Sequence, residues 1–343
     1  MVVLKNDYCY ISHPLVLKRL NDLGSEFNAG YGLDKHCERA KNLILKLCDS
    51  PSSDVHFLTG GTITNKVMIS HILKPFEAVI SVDSGHINVH ETGTIEQSGH
   101  KILTVENNQG KIDLEKVKVL LEEHNNFHMV KPKMIYISNP TEFGTIYSLE
   151  EIKNIYEFCQ KNSLYFFIDG ARLGCGLTCE ENDVYLKDLA RFTDCFYIGG
   201  TKNGAMLGEA LVVNNQELNK DLKFSIKHYG GLYAKSFITG VQFEVLFENN
   251  LFFEIGRRQN QLANKLKNGL RSLGIVLFNE NPTNQVFAYF NEEQANKILK
   301  VIDCEIFIKE HNKIIIRFVT NFFNTESEID QAINQIKNII EDN

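Results

Sequence analysis

Two short apolar runs, each ending in a turn that carries a reactive side chain, constrain this chain more than any other feature. Residues 165–168 (YFFI) end in an acid, Asp169. Residues 195–198 (CFYI) end in Gly199, Gly200, Thr201 and Lys202. Continuous apolar runs of this length, bounded by turn residues, suit strands buried on both faces of a parallel sheet. Strand and helix patterns alternate along the first two thirds of the chain, which predicts a mostly parallel sheet with right-handed crossovers. Ligands of such sheets bind beyond the carboxyl ends of the strands. The pattern therefore predicts Asp169 and Lys202 at neighbouring strand ends, facing one crevice.

That pair has a chemical reading. Lys202 lies among Gly199, Gly200, Thr201, Gly204 and Ala205, small residues that let a ligand come close to the backbone. A lysine withdrawn from water sheds its proton and can form a Schiff base. An acid at the next strand end suits a protonated ring nitrogen, the partner that pyridoxal 5'-phosphate (PLP) needs to act as an electron sink. The same spacing also fits a solvated loop lysine and an acid that caps the following helix, and spacing alone leaves both open.

Other stretches add to this frame. A short strand at residues 55–58 runs into Thr59, Gly60, Gly61 and Thr62, and a helix with Val67, Met68, Ile69, Ile72 and Leu73 follows. Free N–H groups and the helix dipole make such a start an anion site. A Walker-type nucleotide turn does not fit, because Lys66 is out of register with the glycines. His86 and His90 are four apart and share a helix face, but no third ligand stands at a metal-binding spacing, so no metal is expected. Arg317 interrupts an apolar strand at residues 314–319, where a charge needs either a partner or a solvent-facing edge.

The 343 residues suffice for a large domain, expected over residues 1–249, and a smaller one over residues 250–343. A net charge of −7 without a basic block argues against nucleic acid or an anionic membrane as partner. No apolar run approaches the roughly 20 residues of a membrane span. Residues 1–4 are followed at once by Lys5, Asn6 and Asp7, unlike a secretory leader. Eight scattered cysteines read as free thiols of a reducing compartment, so a cytoplasmic location is expected.

Residues 167–172 (FIDGAR), followed by TKNG at 201–204, resemble the threonine aldolase and β-eliminating lyase family of PLP enzymes, and the likeness runs from about Asn6 to Arg317. The resemblance implies an aspartate-aminotransferase-like α/β fold (PLP fold type I), with a seven-stranded-type sheet and a small α+β C-terminal domain. It makes Lys202 the Schiff-base lysine, Asp169 the partner of the pyridine nitrogen and Arg172 a neighbour of the ring's polar edge. His86 would lie over the ring and take part in proton transfer. Gly60, Gly61 and Thr62 would hold the phosphate, helped by Lys235 in the glycine-rich loop at 227–235, and Asn139 would touch the cofactor. Asn6, in the run Asn6, Asp7, Tyr8, would stand at the mouth of the site, Tyr31 would lie near the cofactor across a dimer interface, and Arg317 would bind the substrate α-carboxylate. The implied reaction cleaves a β-hydroxy-α-amino acid, threonine or allo-threonine, to glycine and an aldehyde, in a homodimer or homotetramer. One departure stands out: the family's Asn-Thr-His reads Asn139, Pro140, Thr141, Glu142 here, without the histidine proposed to handle the β-hydroxyl. Glu142 or Thr141 could replace it. The departure also keeps β-elimination, racemisation and transamination open; a non-catalytic homologue is a separate alternative, against which the joint presence of Lys202, Asp169, Arg172, His86 and Arg317 argues.

Overall fold

The computed structural model describes residues 1–310 and 313–341. In chain order its strands are β1 (Val2–Val3), β2 (Asp54–Leu58), β3 (Glu77–Val82), β4 (Ile102–Val105), β5 (Lys131–Ser138), β6 (Tyr165–Asp169), β7 (Cys195–Gly199), β8 (Glu209–Val213), β9 (Gln285–Phe290), β10 (Ile302–Asp303), β11 (Glu305–Glu310) and β12 (Lys313–Val319). A seven-stranded sheet runs in the order β2-β8-β7-β6-β5-β3-β4. From β4 to β7 neighbours are parallel, whereas β8 pairs antiparallel with β7 and with β2. Residues 200–208 are too few for a crossover helix, so β8 returns antiparallel to β7.

Helices cover both faces of this sheet. Phe166, Ile168, Phe196 and Ile198 join one core with Ile44 and Leu246. Phe167, Tyr197 and Tyr136 join the other, with Val67 and Met68. Side chains thus alternate between faces with the strand period of two, and because both faces are buried the strands read as unbroken apolar runs. Local signals set the helix starts. Asp34 accepts from the His36 and Cys37 N–H groups to open Lys35–Cys48, and Ser148 with Glu151 forms a capping box on Leu149–Lys161.

A three-stranded antiparallel sheet, β11-β12-β9, forms a second core with the helices Leu251–Ser272, Glu292–Val301 and Glu326–Glu341. The chain crosses the expected division at residue 249 twice. Val2 and Leu4 belong to this second core, because β1 pairs with β10. The helix Leu251–Ser272 serves both cores, with Leu251, Phe252 and Ile255 in the first and Leu262, Leu266 and Leu270 in the second. Its apolar stripe is long enough to reach both. Among the described residues no helix is long and apolar enough to cross a membrane.

Candidate active site

Strand register brings the site together. Ser138 at the end of β5 lies opposite Asp169 at the end of β6, and Ile168 lies opposite Phe196 in β7. The carboxyl ends of these strands are therefore level, and a cavity of about 610 Å³ opens beyond them. Its walls include Gly60, Gly61, Thr62, His86, Arg172, Lys202 and Arg317. Asp169, at the end of β6, is buried at 3% exposure next to the lining residues Ala171 and Arg172.

Donors surround Asp169. Its Oδ2 accepts from the Tyr136 hydroxyl at 2.6 Å and from Asn65 Nδ2 at 3.1 Å, and its Oδ1 accepts from the Ala171 N–H at 3.0 Å. Burial alone would raise its pKa. The His86 charge and hydrogen bonds from Tyr136, Tyr197 and the Ala171 N–H outweigh burial and hold the carboxyl below its usual range. Both phenols are pushed well up, by burial and by the Asp169 charge, so they remain donors.

Lys202 follows β7 in a turn closed by the Gly200 N–H donating to the Gly208 carbonyl at 3.1 Å. Gly208 sits at φ 113°, and a Cβ there would meet Thr239 Cγ2 at 2.6 Å, so the turn demands glycine. Burial, reinforced by the charge of Arg172, lowers the Lys202 pKa against the pull of Asp7, Asp169 and Glu209. Burial pushes Glu209 up. Both members of this pair are driven toward their neutral forms.

The helix Gly61–Ile72 begins at Gly60 with no side-chain cap, which leaves its first-turn N–H groups facing the cavity. A Cβ on Gly61 would come within 2.9 Å of the Tyr197 hydroxyl. This backbone forms an open cradle for an anion. The His86 ring, also in the cavity wall, donates from Nδ1 to Glu91 Oε1 at 2.8 Å. Asn65 Nδ2 bridges Glu91 and Asp169, at 2.8 and 3.1 Å. One network therefore orients His86 and Asp169 together.

The two arginines are held differently. Arg172 forms a bidentate pair with buried Asp7, Nε to Oδ2 at 2.7 Å and an NH2 bond to Oδ1 at 3.0 Å. Burial would raise the Asp7 pKa, but the charges of Arg172 and Lys202 hold it low. Arg317 faces Glu305 across β11–β12 and pairs with it, and its NH1 reaches Gln285 Oε1 at 3.4 Å. Its buried Nε has no hydrogen-bond partner. Arg317 is therefore not an edge residue with its head in solvent.

Four expected residues do not line this chain's cavity. Asn6 turns its Oδ1 back onto the Tyr8 N–H at 3.1 Å, and Tyr8 lines the cavity in its place. Asn139 spends its Oδ1 on the Tyr147 N–H at 3.2 Å and braces the loop after β5. Tyr31 is 42% exposed, with Lys227 Nζ 4.6 Å above its ring. Lys235 is exposed just before the helix Phe237–Glu248, outside the cavity walls. Asp7 and Tyr8 belong to the polar run at residues 6–8 that the resemblance places at the mouth of the site, whereas sequence reasoning passes over Asn65, Tyr136, Tyr197, Glu209 and Glu305. Glu209, an acid opening an apolar strand, was the one with a visible signal; Tyr136 and Tyr197 look like core.

An acid held ionised, a lysine driven toward neutrality and an open anion cradle, at adjacent strand ends of one parallel sheet, define a PLP enzyme of the aspartate aminotransferase fold. The aspartate aminotransferase of Thermus thermophilus superposes with a TM-score of 0.72 at 12% identity, over 99% of this chain and 91% of that one, a likeness of fold alone. The model of the beta-eliminating lyase family matches residues 25–293, and the chain belongs to that family. A threonine aldolase structure from Leishmania major has a TM-score of 0.97 and 40% identity, over 99% of this chain and 100% of that one. A low specificity L-threonine aldolase of Pseudomonas sp. (strain NCIMB 10558) is 28% identical over 268 residues, 76% of each chain. The residues fit PLP by their chemistry: Asp169 suits a ring nitrogen, Lys202 a carbonyl carbon, and the uncapped turn at Gly60 a phosphate.

Proposed function

We propose that this enzyme cleaves the Cα–Cβ bond of a β-hydroxy-α-amino acid of the threonine or allo-threonine kind, releasing glycine and an aldehyde. PLP, when bound, withdraws electrons from the amino acid's Cα through its protonated ring. Asp169 would keep that ring nitrogen protonated, and its three hydrogen-bond donors hold it as a carboxylate. Lys202 supplies the anchoring amine, and burial leaves it free of its proton at lower pH than an exposed lysine. Gly60, Gly61 and Thr62 take the phosphate on backbone N–H groups. Arg172, fixed by Asp7, would serve the ring's polar edge. His86, oriented by Glu91, would meet the ring from the cavity wall.

Arg317 carries the substrate reading. A buried guanidinium Nε without a partner, on the wall of the cavity that holds Lys202, suits the α-carboxylate of an amino acid. Homology to threonine aldolases supports the choice of bond. Assembly as a homodimer or homotetramer belongs to the same proposal. Its support is that Tyr31 is exposed and Lys235 lies outside this chain's own cavity, so that either could serve a second copy. A cytoplasmic location is supported by eight cysteines, all free.

The test is aldehyde release from L-threonine and L-allo-threonine, with Lys202→Ala as the blank. Release that depends on Lys202 supports the reading. A cofactor-bearing protein that releases none, and instead yields a keto acid or a racemised amino acid, overturns it.

A further inference from the structure

Cleavage of a β-hydroxy amino acid needs a group that takes the hydroxyl proton, and this inference rests on the cleavage reading above. Thr141 and Glu142 follow β5, one strand from Asp169. Thr141 is 2% exposed and turned away, its Oγ1 bonded to Thr145 Oγ1 at 2.7 Å. Glu142 lines the cavity with Lys202, His86 and Arg317. Its Oε1 accepts from the Ser138 hydroxyl at 2.6 Å and from the His86 backbone N–H at 3.0 Å. Its Oε2 is buried and has no partner. A buried carboxylate oxygen without a donor is costly, and a ligand hydroxyl is the group that would complete it.

We propose that Glu142 is the base that accepts the substrate's β-hydroxyl proton in this enzyme. The proton passes to Oε2, the O–H electron pair becomes the C=O bond of the aldehyde, and the Cα–Cβ pair stays on Cα. Cα then takes up one proton from water and Glu142 returns its proton to water, so the sum is amino acid to glycine plus aldehyde, with no oxidant or reductant. The anchoring of Oε1 fixes the direction of Oε2. The charged and titratable neighbours are His86 from the segment after β3, Asp169 at the end of β6, and the phenols of Tyr136 and Tyr147. Burial raises the Glu142 pKa and Asp169 adds to it, against Ser138 and His86. That is the direction a base working near neutral pH requires. His90 is the competing group. It also lines the cavity but is exposed at the mouth, and burial and the charges of His86 and Arg317 hold its pKa down.

The experiment uses the holoenzyme and the variants Glu142→Gln, Glu142→Ala and His90→Asn. In Glu142→Gln the amide oxygen stays on Ser138 and the His86 N–H, so the NH2 group replaces Oε2 and cannot accept a proton. Cleavage of L-threonine should fall about 100-fold or more, and the acid limb of its pH profile should vanish. Exchange of the glycine α-proton in deuterium oxide, which involves no hydroxyl, should stay within about twofold. In Glu142→Ala the affinity for L-serine relative to L-alanine, read by equilibrium titration, should drop roughly tenfold. Cleavage retained within about fivefold, an equal loss of glycine exchange, or a loss that follows His90→Asn instead overturns the assignment. Failure of the cleavage reading itself would show in the wild type, as no aldehyde from either threonine isomer, and this inference would fall with it.

Discussion

Replacing Arg317 by alanine tests substrate recognition, and the structure sets the size of the effect. Arg317 offers the cavity a guanidinium whose Nε has no partner, while Glu305 holds its NH2 group and Gln285 its NH1. An amino-acid carboxylate bound there gains a charge-assisted hydrogen bond, roughly 1.5–3 kcal/mol. Its loss weakens glycine about ten- to a hundredfold. The variant also strips Glu305 of its partner and leaves it facing the incoming carboxylate. The Glu305 side chain is 36% exposed, so solvent screens that repulsion to about 1 kcal/mol. Arg317→Ala with Glu305→Gln should therefore bind glycine roughly fivefold better than Arg317→Ala alone. The assay is titration of holoenzyme with glycine and with methylamine, which has the amine but no carboxylate, each followed by the absorbance of bound cofactor. Glycine affinity should collapse toward that of methylamine, which should not change. An equal loss for both ligands, or no loss for either, would refute the carboxylate role.

Three further outcomes are expected. Lys202→Ala should abolish covalent attachment of cofactor, so borohydride reduction followed by mass spectrometry should find no adduct; an adduct on another lysine would displace the assignment. Gly61→Ala should weaken cofactor retention on dialysis at least tenfold, because its Cβ would stand 2.9 Å from the Tyr197 hydroxyl, and adding Tyr197→Phe should recover part of the loss. The rate of cofactor attachment should rise with pH through the lowered Lys202 pKa, since the neutral amine is the reactive form. Burial and then Arg172 depress that pKa, so Arg172→Gln should move the profile to higher pH, and an unmoved or downward-shifted profile would contradict the electrostatics.

Much of this protein was legible in its sequence. Burial on both faces of a parallel sheet forces unbroken apolar runs, so β6 and β7 announced themselves, and with them the strand-end positions of Asp169 and Lys202. The turn at Gly60 and the caps at Asp34 and Ser148 are local backbone chemistry and read equally well. What the tertiary structure decided is which polar atoms meet. Tyr136 and Tyr197 fit the apolar period of their strands, and only the packed sheet turns their hydroxyls to Asp169. Asp7 reaches Arg172 across 165 positions of sequence, and Glu305 meets Arg317 through strand pairing. The same long-range packing turned Thr141 inward and left one Glu142 oxygen without a partner, and it put Asn6, Tyr31, Asn139 and Lys235 outside this chain's cavity. Periodicity records how each residue is buried relative to its own element. The partner of a buried charge is supplied by a different element, through the register and packing of the whole fold.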